Sequence, residues 1–280
     1  MHPTPTRESF APTNHTPQGA TSMDEAADAE APPNADEAEI CGWHMDEAAW
    51  YDTVVTHWTK AVSAEDNDGV LGGWGCVDEE DARGSLAFLA QTLGVPAAQW
   101  PIAGYRALDC GAGIGRVTGA VLLKSSERVH LVEVSEALLA QAAVKLSEHA
   151  ARIECSQTSL RDFAPPAGSY NLVWCQWVLG HLTDRDVVAL LHRCRSALRP
   201  GGALFVKDNA APSKQCPYDG KYMLDEENAG VIRTHNHLWA LARAAGFKLS
   251  KTALQTNFPE GLYPVRMYCF VPKEGSACCF

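Results

Sequence analysis

Apolar residues are scarce in the first 45 positions and then recur at a helical spacing from Met45 onward. Trp50, Val54 and Trp58 share one face of a helix expected to run to about Val62. A loop rich in Asp and Gly follows, then the run Leu71-Gly72-Gly73-Trp74-Gly75, and Asp78 to Leu93 reads as a second helix. Beyond it, short apolar runs alternate with amphipathic stretches, the signature of a parallel sheet wrapped on both faces. Strands are expected at Tyr105–Leu108, Val129–Val132, Ile153–Cys155, Leu172–Cys175 and Ala203–Val206. Helices are expected from about Gly115, over Ser135–Leu146, and from Thr183, whose hydroxyl suits a cap, to the stop at Arg199-Pro200-Gly201-Gly202. A last helix near Val231–Ala245 and apolar runs at Phe247–Leu254 and Val265–Val271, read as a final pair of strands, complete an α/β, Rossmann-like pattern without repeats.

Composition changes this picture mainly at the amino terminus. The 280 residues, 46% hydrophobic and 20% charged, suffice for one elaborated domain. Of the net charge of −11, −7 lies in residues 1–45, where eight carboxylates face Arg7 alone. That stretch, rich in Pro and Ala, cannot bury enough surface to offset chain entropy and is expected to be a disordered tail. Residues 46–280 form the folded domain, with 46–100 as an amino-terminal helical cap. Such an acidic chain has no field for a phosphate backbone, so no nucleic-acid partner is expected. No run of eighteen apolar residues and no basic, apolar leader is present, so no membrane partner is expected and the protein reads as intracellular. The ten cysteines form no CxxC pair and no Cys/His cluster at ligand spacing, so they read as buried, reduced thiols, and no metal site is expected. Ala277-Cys278-Cys279-Phe280 has Ala where a prenylation signal needs Cys.

The candidate chemistry centres on Leu108-Asp109-Cys110-Gly111-Ala112-Gly113-Ile114-Gly115-Arg116, between a strand and a helix. Glycines there let the backbone turn tightly against a ligand, and the helix start offers free N–H groups. Twenty-two residues after Gly111, at the end of the second strand, Glu133 can accept both hydroxyls of a ribose. These features fit a nicotinamide dinucleotide as well as S-adenosylmethionine. Three details favour the latter: Asp109 suits an ammonium better than a pyrophosphate, the spacing is G-x-G-x-G, and Leu198-Arg199-Pro200-Gly201-Gly202 resembles the turn of seven-stranded methyltransferases.

Four runs, Leu71–Gly75, Leu108–Arg116, Gln176-Trp177-Val178-Leu179-Gly180-His181-Leu182-Thr183-Asp184 and Lys207-Asp208-Asn209, together resemble the protein α-N-terminal methyltransferases. The resemblance spans roughly Trp50 to Phe270. It implies a seven-stranded class I S-adenosylmethionine-dependent methyltransferase that methylates the α-amine of proteins beginning Xaa-Pro-Lys/Arg after Met removal, leaving S-adenosyl-L-homocysteine. The protein is further expected to be a monomer, in the cytoplasm and nucleus. Gly111, Gly113 and Arg116 would hold the methionine portion, Glu133 the ribose, and Val134, Ser135, Leu160 and Arg161 the ribose and adenine, with Gln176 beside them. Leu71, Gly72, Gly73 and Trp74 would gate the substrate channel. Trp177 and Tyr263 would wall a pocket for the second-position proline. Asn209 would orient the amine, with His181 close by.

The resemblance breaks where the family carries an Asp for amine recognition and proton removal, because an ungapped match places Asn228 there. Asn cannot take a proton, which leaves Asp225, Glu226 or Glu227, otherwise readable as a solvated helix start, as candidate bases. His57 stands where the family tends to have Tyr. His235 and His237 read as surface residues of the last helix. Two other functions stay open: a small-molecule N- or O-methyltransferase, and a regulatory protein that binds S-adenosylmethionine with little turnover.

Overall fold

The computed structural model describes residues 45–61, 66–226 and 229–273. The expected tail, apart from Met45, lies outside them, as do Val62, Glu227 and Asn228. Nine strands are defined among these residues: β1 (Ile102–Cys110), β2 (Ser126–Glu133), β3 (Ile153–Gln157), β4 (Tyr170–Gln176), β5 (Leu198–Asn209), β6 (Tyr222–Asp225), β7 (Gly230–Arg233), β8 (Phe247–Leu254) and β9 (Val265–Pro272). Seven of them form one sheet in the order β3-β2-β1-β4-β5-β9-β8, parallel from β3 through β5 and antiparallel at β9 and β8. The order reverses between β1 and β4, and the crevice at the carboxyl ends of those strands is where such sheets take ligands.

Both faces of the sheet are covered, which is why its strands read as nearly continuous apolar runs. One face packs Cys110, Val173, Cys175 and Val206 under α4 (Asp184–Ala197) and α5 (His235–Ala244). The other packs Ala107, Leu131, Trp174 and Phe205 under α2 (Asp78–Leu93) and α3 (Glu136–Lys145). Thr183 caps α4, as its sequence suggests, accepting from the Asp186 N–H.

The cap begins with α1 (Glu47–Thr56), closed at its start by the Asp46 carboxylate and continued as a π-helical turn, His57–Ala61. Its Trp50 and Val54 pack on Tyr222, Ala229 and Val231 of a β6–β7 hairpin. That hairpin corrects two expectations. The last helix starts at His235, not near Val231, because 230–233 pairs with β6. Asp225 ends a strand and does not open a helix. Since α5 starts at His235, His237 turns inward and is buried, its Nε2 2.8 Å from Asp184 Oδ2, while His235 stacks on Tyr268. His237 is therefore not a surface residue, and His235 is only partly exposed. Of the described cysteines, 110, 175, 194, 216 and 269 are buried and free, but Cys76 and Cys155 are exposed, which corrects the uniformly buried reading. No His/Cys/Asp/Glu group fit to hold a metal exists among the described residues, and no described helix is long and apolar enough to cross a membrane.

Candidate active site

A cleft opens at the carboxyl ends of β1, β2 and β4 and is roofed by α1. Tyr51, Val54, Val55 and Trp58 line it from above, and Asp109, Gly111, Gly113, Glu133, Leu160 and Gln176 from below. Gly111, at φ +72°, fits a turn in which a Cβ would lie 2.4 Å from Val178 Cγ2. Gly113, at φ +54°, differs: nothing lies within 4 Å of its missing Cβ, so the backbone there is open to a ligand.

Two buried carboxylates mark the floor. Asp109, 2% exposed, accepts from the Thr118 hydroxyl at 2.6 Å, and burial pushes its pKa up to about 6 against that bond. Glu133 accepts from the Gly113 and Ser135 N–H groups, each at 2.9 Å, with the Val134 backbone a third donor, and these do not exhaust the roughly four acceptor sites of a carboxylate. Burial raises its pKa, opposed by these backbone donors. This floor fits S-adenosylmethionine: a carboxylate with spare acceptor capacity ends β2, an ionisable acid adjoins the glycine turn, and the cleft wall is open at Gly113. Thr158 and Ser159 also line the cleft.

Arg116 lines the same cleft, but its Nη1 is already bonded to Asp78 Oδ1 at 2.8 Å and to Asp81 Oδ2 at 2.7 Å. Asp81 is fully buried and also accepts from Gln176 Nε2, and Lys207 Nζ lies 2.6 Å from its Oδ1. Burial opposes the charge on Asp81, yet Arg116 and Lys207 hold its pKa below the usual carboxylate range. Asp81 did not stand out in the sequence, and Lys207 was read only as part of the run Lys207-Asp208-Asn209. The available signals were Asp78 and Asp81 one helical turn apart, and a lone Lys following an apolar strand.

Trp177 joins two parts of the site. Its backbone is left-handed, at φ 50°, a conformation rare for a bulky residue and found where surrounding structure enforces it. The Arg116 guanidinium stands over its ring, with Cζ 5.4 Å from the centroid, and its Nε1 donates to Asn209 Oδ1 at 3.2 Å. His181 lies on the following loop. Its Nδ1 is 3.0 Å from the Ala229 carbonyl and its Nε2 3.1 Å from Trp58 Nε1. A carbonyl only accepts and an indole N–H only donates, so Nδ1 carries the proton and the imidazole is neutral. Burial pushes its pKa down to about 4. With both nitrogens engaged, His181 is a scaffold of the site and not a proton acceptor.

The loop is held from behind. Arg233 donates to the Leu179 carbonyl (2.6 Å), the Leu182 carbonyl (2.7 Å) and Asp184 Oδ1 (2.8 Å). Of the other sequence candidates, Leu71 and Val134 line the cleft. Ser135 and Arg161 do not. Ser135 caps α3, and Arg161 stacks over Tyr51 at 3.9 Å and pairs with Asp186. Gly72, Gly73, Trp74 and Tyr263 also lie outside the lining, Trp74 and Tyr263 each being 39% exposed. Asp225 is close enough for its charge to favour the protonated forms of His57 and His181. The candidate base at 227 and the Asn228 match fall outside the described residues.

The family model described as AdoMet-dependent proline di-methyltransferase matches residues 46–271. N-terminal Xaa-Pro-Lys N-methyltransferase 1 of Danio rerio is 39% identical over 223 residues, 79% of this chain and 94% of the relative. The Homo sapiens protein of the same description is 34% identical over the same shares. Alpha N-terminal protein methyltransferase 1 of Caenorhabditis elegans is 33% identical over 80% of this chain and 91% of its own length. Among solved structures, a SAM-dependent methyltransferase from Leishmania major superposes with a TM-score of 0.68 at 31% identity, covering 79% of this chain and 82% of that one. The Burkholderia thailandensis 1,6-didemethyltoxoflavin-N1-methyltransferase, at 21% identity and a TM-score of 0.59, shares the fold over 81% of this chain and 89% of its own.

Proposed function

The chain belongs to the family of S-adenosylmethionine-dependent proline di-methyltransferases, and from that membership we propose that it methylates the α-amine of protein chains beginning Xaa-Pro-Lys or Xaa-Pro-Arg once the initiator Met is gone. The observation that carries the reading is the junction at Trp177, which touches a cleft fit for the cofactor on one side and Asn209 on the other.

In this reading Glu133 takes the ribose hydroxyls, Asp109 and Arg116 face the methionine ammonium and carboxylate, and Leu160 and Val134 flank the adenine. Bound there, S-adenosylmethionine supplies a methyl group on a sulfonium sulfur and is left as S-adenosyl-L-homocysteine. The rest falls to the protein: to hold a neutral amine in line with that methyl group and keep water out. An α-amine, with a pKa of ~7.7–8.0, is roughly 10–15% neutral at pH 7, so it can reach the site already deprotonated. Lysine side chains, with a pKa of ~10.4, compete poorly. That suits a site in which His181 takes no proton. Asn209, fixed by the Trp177 indole, orients the amine, and the indole walls the proline. Gly72, Gly73, Trp74 and Tyr263 belong to the peptide path on resemblance alone.

We also propose that the protein acts as a monomer in the cytoplasm and nucleus. Five of the described cysteines are buried free thiols, which suits a reducing compartment. The test of function is mass spectrometry of a peptide panel varied at its first three residues. Methylation at the α-amine of Xaa-Pro-Lys peptides is expected. An unmodified panel alongside turnover of a small amine would refute the substrate, and binding of the cofactor with no product anywhere would point to a regulatory protein.

A further inference from the structure

Two residues of the cofactor cleft, Arg116 after β1 and Gln176 at the end of β4, come from different elements, yet one carboxylate fixes both. Asp81 Oδ2 accepts from Arg116 Nη1 at 2.7 Å and from Gln176 Nε2 at 2.8 Å, and the same Nε2 lies 2.9 Å from Oδ1. The Gln176 amide has no freedom left to flip, because its Oε1 accepts from the Trp174 indole at 3.0 Å. Asp81 does not line the cleft itself. It is fully buried on α2, a helix of the cap, and Lys207, also fully buried, ties it to β5. The ammonium of Lys207 is satisfied by the Asp81 carbonyl (2.9 Å), Ser85 Oγ (3.0 Å) and Gln255 Oε1 (2.8 Å).

We propose that Asp81 is a positioning residue for cofactor binding: it presets the Arg116 guanidinium and the Gln176 amide in the cleft, and so makes the affinity for S-adenosylmethionine depend on the docking of α2. Three features support the assignment. The carboxylate bridges two cleft residues that share no other common partner in the hydrogen-bond network described. It sits in the first turn of α2, a site where a carboxylate is ordinarily solvated and here has no exposure. Breaking a buried charge pair on one side leaves the other charge uncompensated, so such a group is kept only at a cost that a neutral core would avoid.

The proposal rests on the cofactor cleft described above, and the experiment separates the two. Binding of S-adenosyl-L-homocysteine is measured by calorimetry on folded wild-type protein, Asp81→Asn, and the double variant Asp81→Asn/Lys207→Met, with Tm recorded for each without ligand. Asp81→Asn leaves two cations around a neutral group. The double variant removes the buried ammonium and relieves that imbalance. The expected result is S-adenosyl-L-homocysteine affinity weakened about tenfold or more in both variants, with Tm largely recovered in the double variant and the KM for an Xaa-Pro-Lys peptide within about twofold of wild type. Recovery of both Tm and affinity in the double variant would show that Asp81 only balances Lys207 and would overturn the proposal, as would unchanged affinity in Asp81→Asn. Wild-type protein that fails to bind would refute the cofactor cleft itself, and this inference with it.

Discussion

The indole N–H of Trp58 donates to Nε2 of His181 across 3.1 Å, while Nδ1 of the same ring reaches the Ala229 carbonyl. The cap therefore fixes the tautomer of a histidine in the loop after β4, and Trp177, Val178 and His181 of that loop line the cleft. Nitrogen NMR of His181 is expected to show the Nδ1–H form at pH 7, with no titration until well below pH 6. An Nε2–H form, or an ordinary histidine titration, would contradict the geometry.

Burial of the same ring sets a pH dependence of stability. The folded pKa of His181, about 4, lies below the ~6.5 of an unfolded histidine, so between these values the unfolded chain binds more protons. This contribution is complete above pH 6.5 and is lost as pH falls toward 4. Urea midpoints measured across that window should decline more steeply in wild type than in His181→Gln, which has no such titration.

Gly111 and Gly113 separate folding from binding. Each has a left-handed backbone that costs an alanine about 1–2 kcal/mol. At Gly111 the added Cβ also drives into Val178, whereas at Gly113 it enters open cleft. Gly111→Ala should lower Tm by clearly more than Gly113→Ala. Gly113→Ala should instead weaken S-adenosyl-L-homocysteine binding out of proportion to its Tm change. Equal Tm losses with unchanged binding would contradict this placement of the cleft.

Arg233 is expected to dominate the stability of the loop after β4. Arg233→Met removes its bonds to two loop carbonyls and leaves Asp184 facing His237 alone; breaking a buried pair in this way costs about 3–5 kcal/mol. Chemical denaturation would read the loss directly. Burial opposes the charge on Asp184, but Arg233 and His237 lower its pKa to about 2, so this network stabilises the fold above pH 4 and weakens as pH falls toward 2.

Asn209→Ala should leave S-adenosyl-L-homocysteine binding within about twofold while lowering kcat by about tenfold to a hundredfold, because the residue contacts Trp177 and lies outside the cofactor lining. Parallel loss of binding and turnover would show that it supports the cleft and does not orient the amine.

The sequence alone determined the sheet, the two-sided packing and the floor of the cleft. Those features are local: an apolar run long enough for one strand, a glycine turn after β1 and a carboxylate at the end of β2 lie in continuous stretches, and backbone geometry carries them to the same crevice. Tertiary structure alone decided the roof and the charge network. The β6–β7 hairpin is stabilised by Trp50 and Val54, far away in the chain, so its four-residue strands carry too little pattern to distinguish them from the start of the next helix. His237 passed for a surface residue because its partner, Asp184, lies 53 positions away. Arg116 was readable as a cofactor ligand, but Asp81, which holds it, looked like one of four acids opening a helix. A buried charge is favourable only where its partners converge, and that convergence is a property of the packed chain, not of any segment of it.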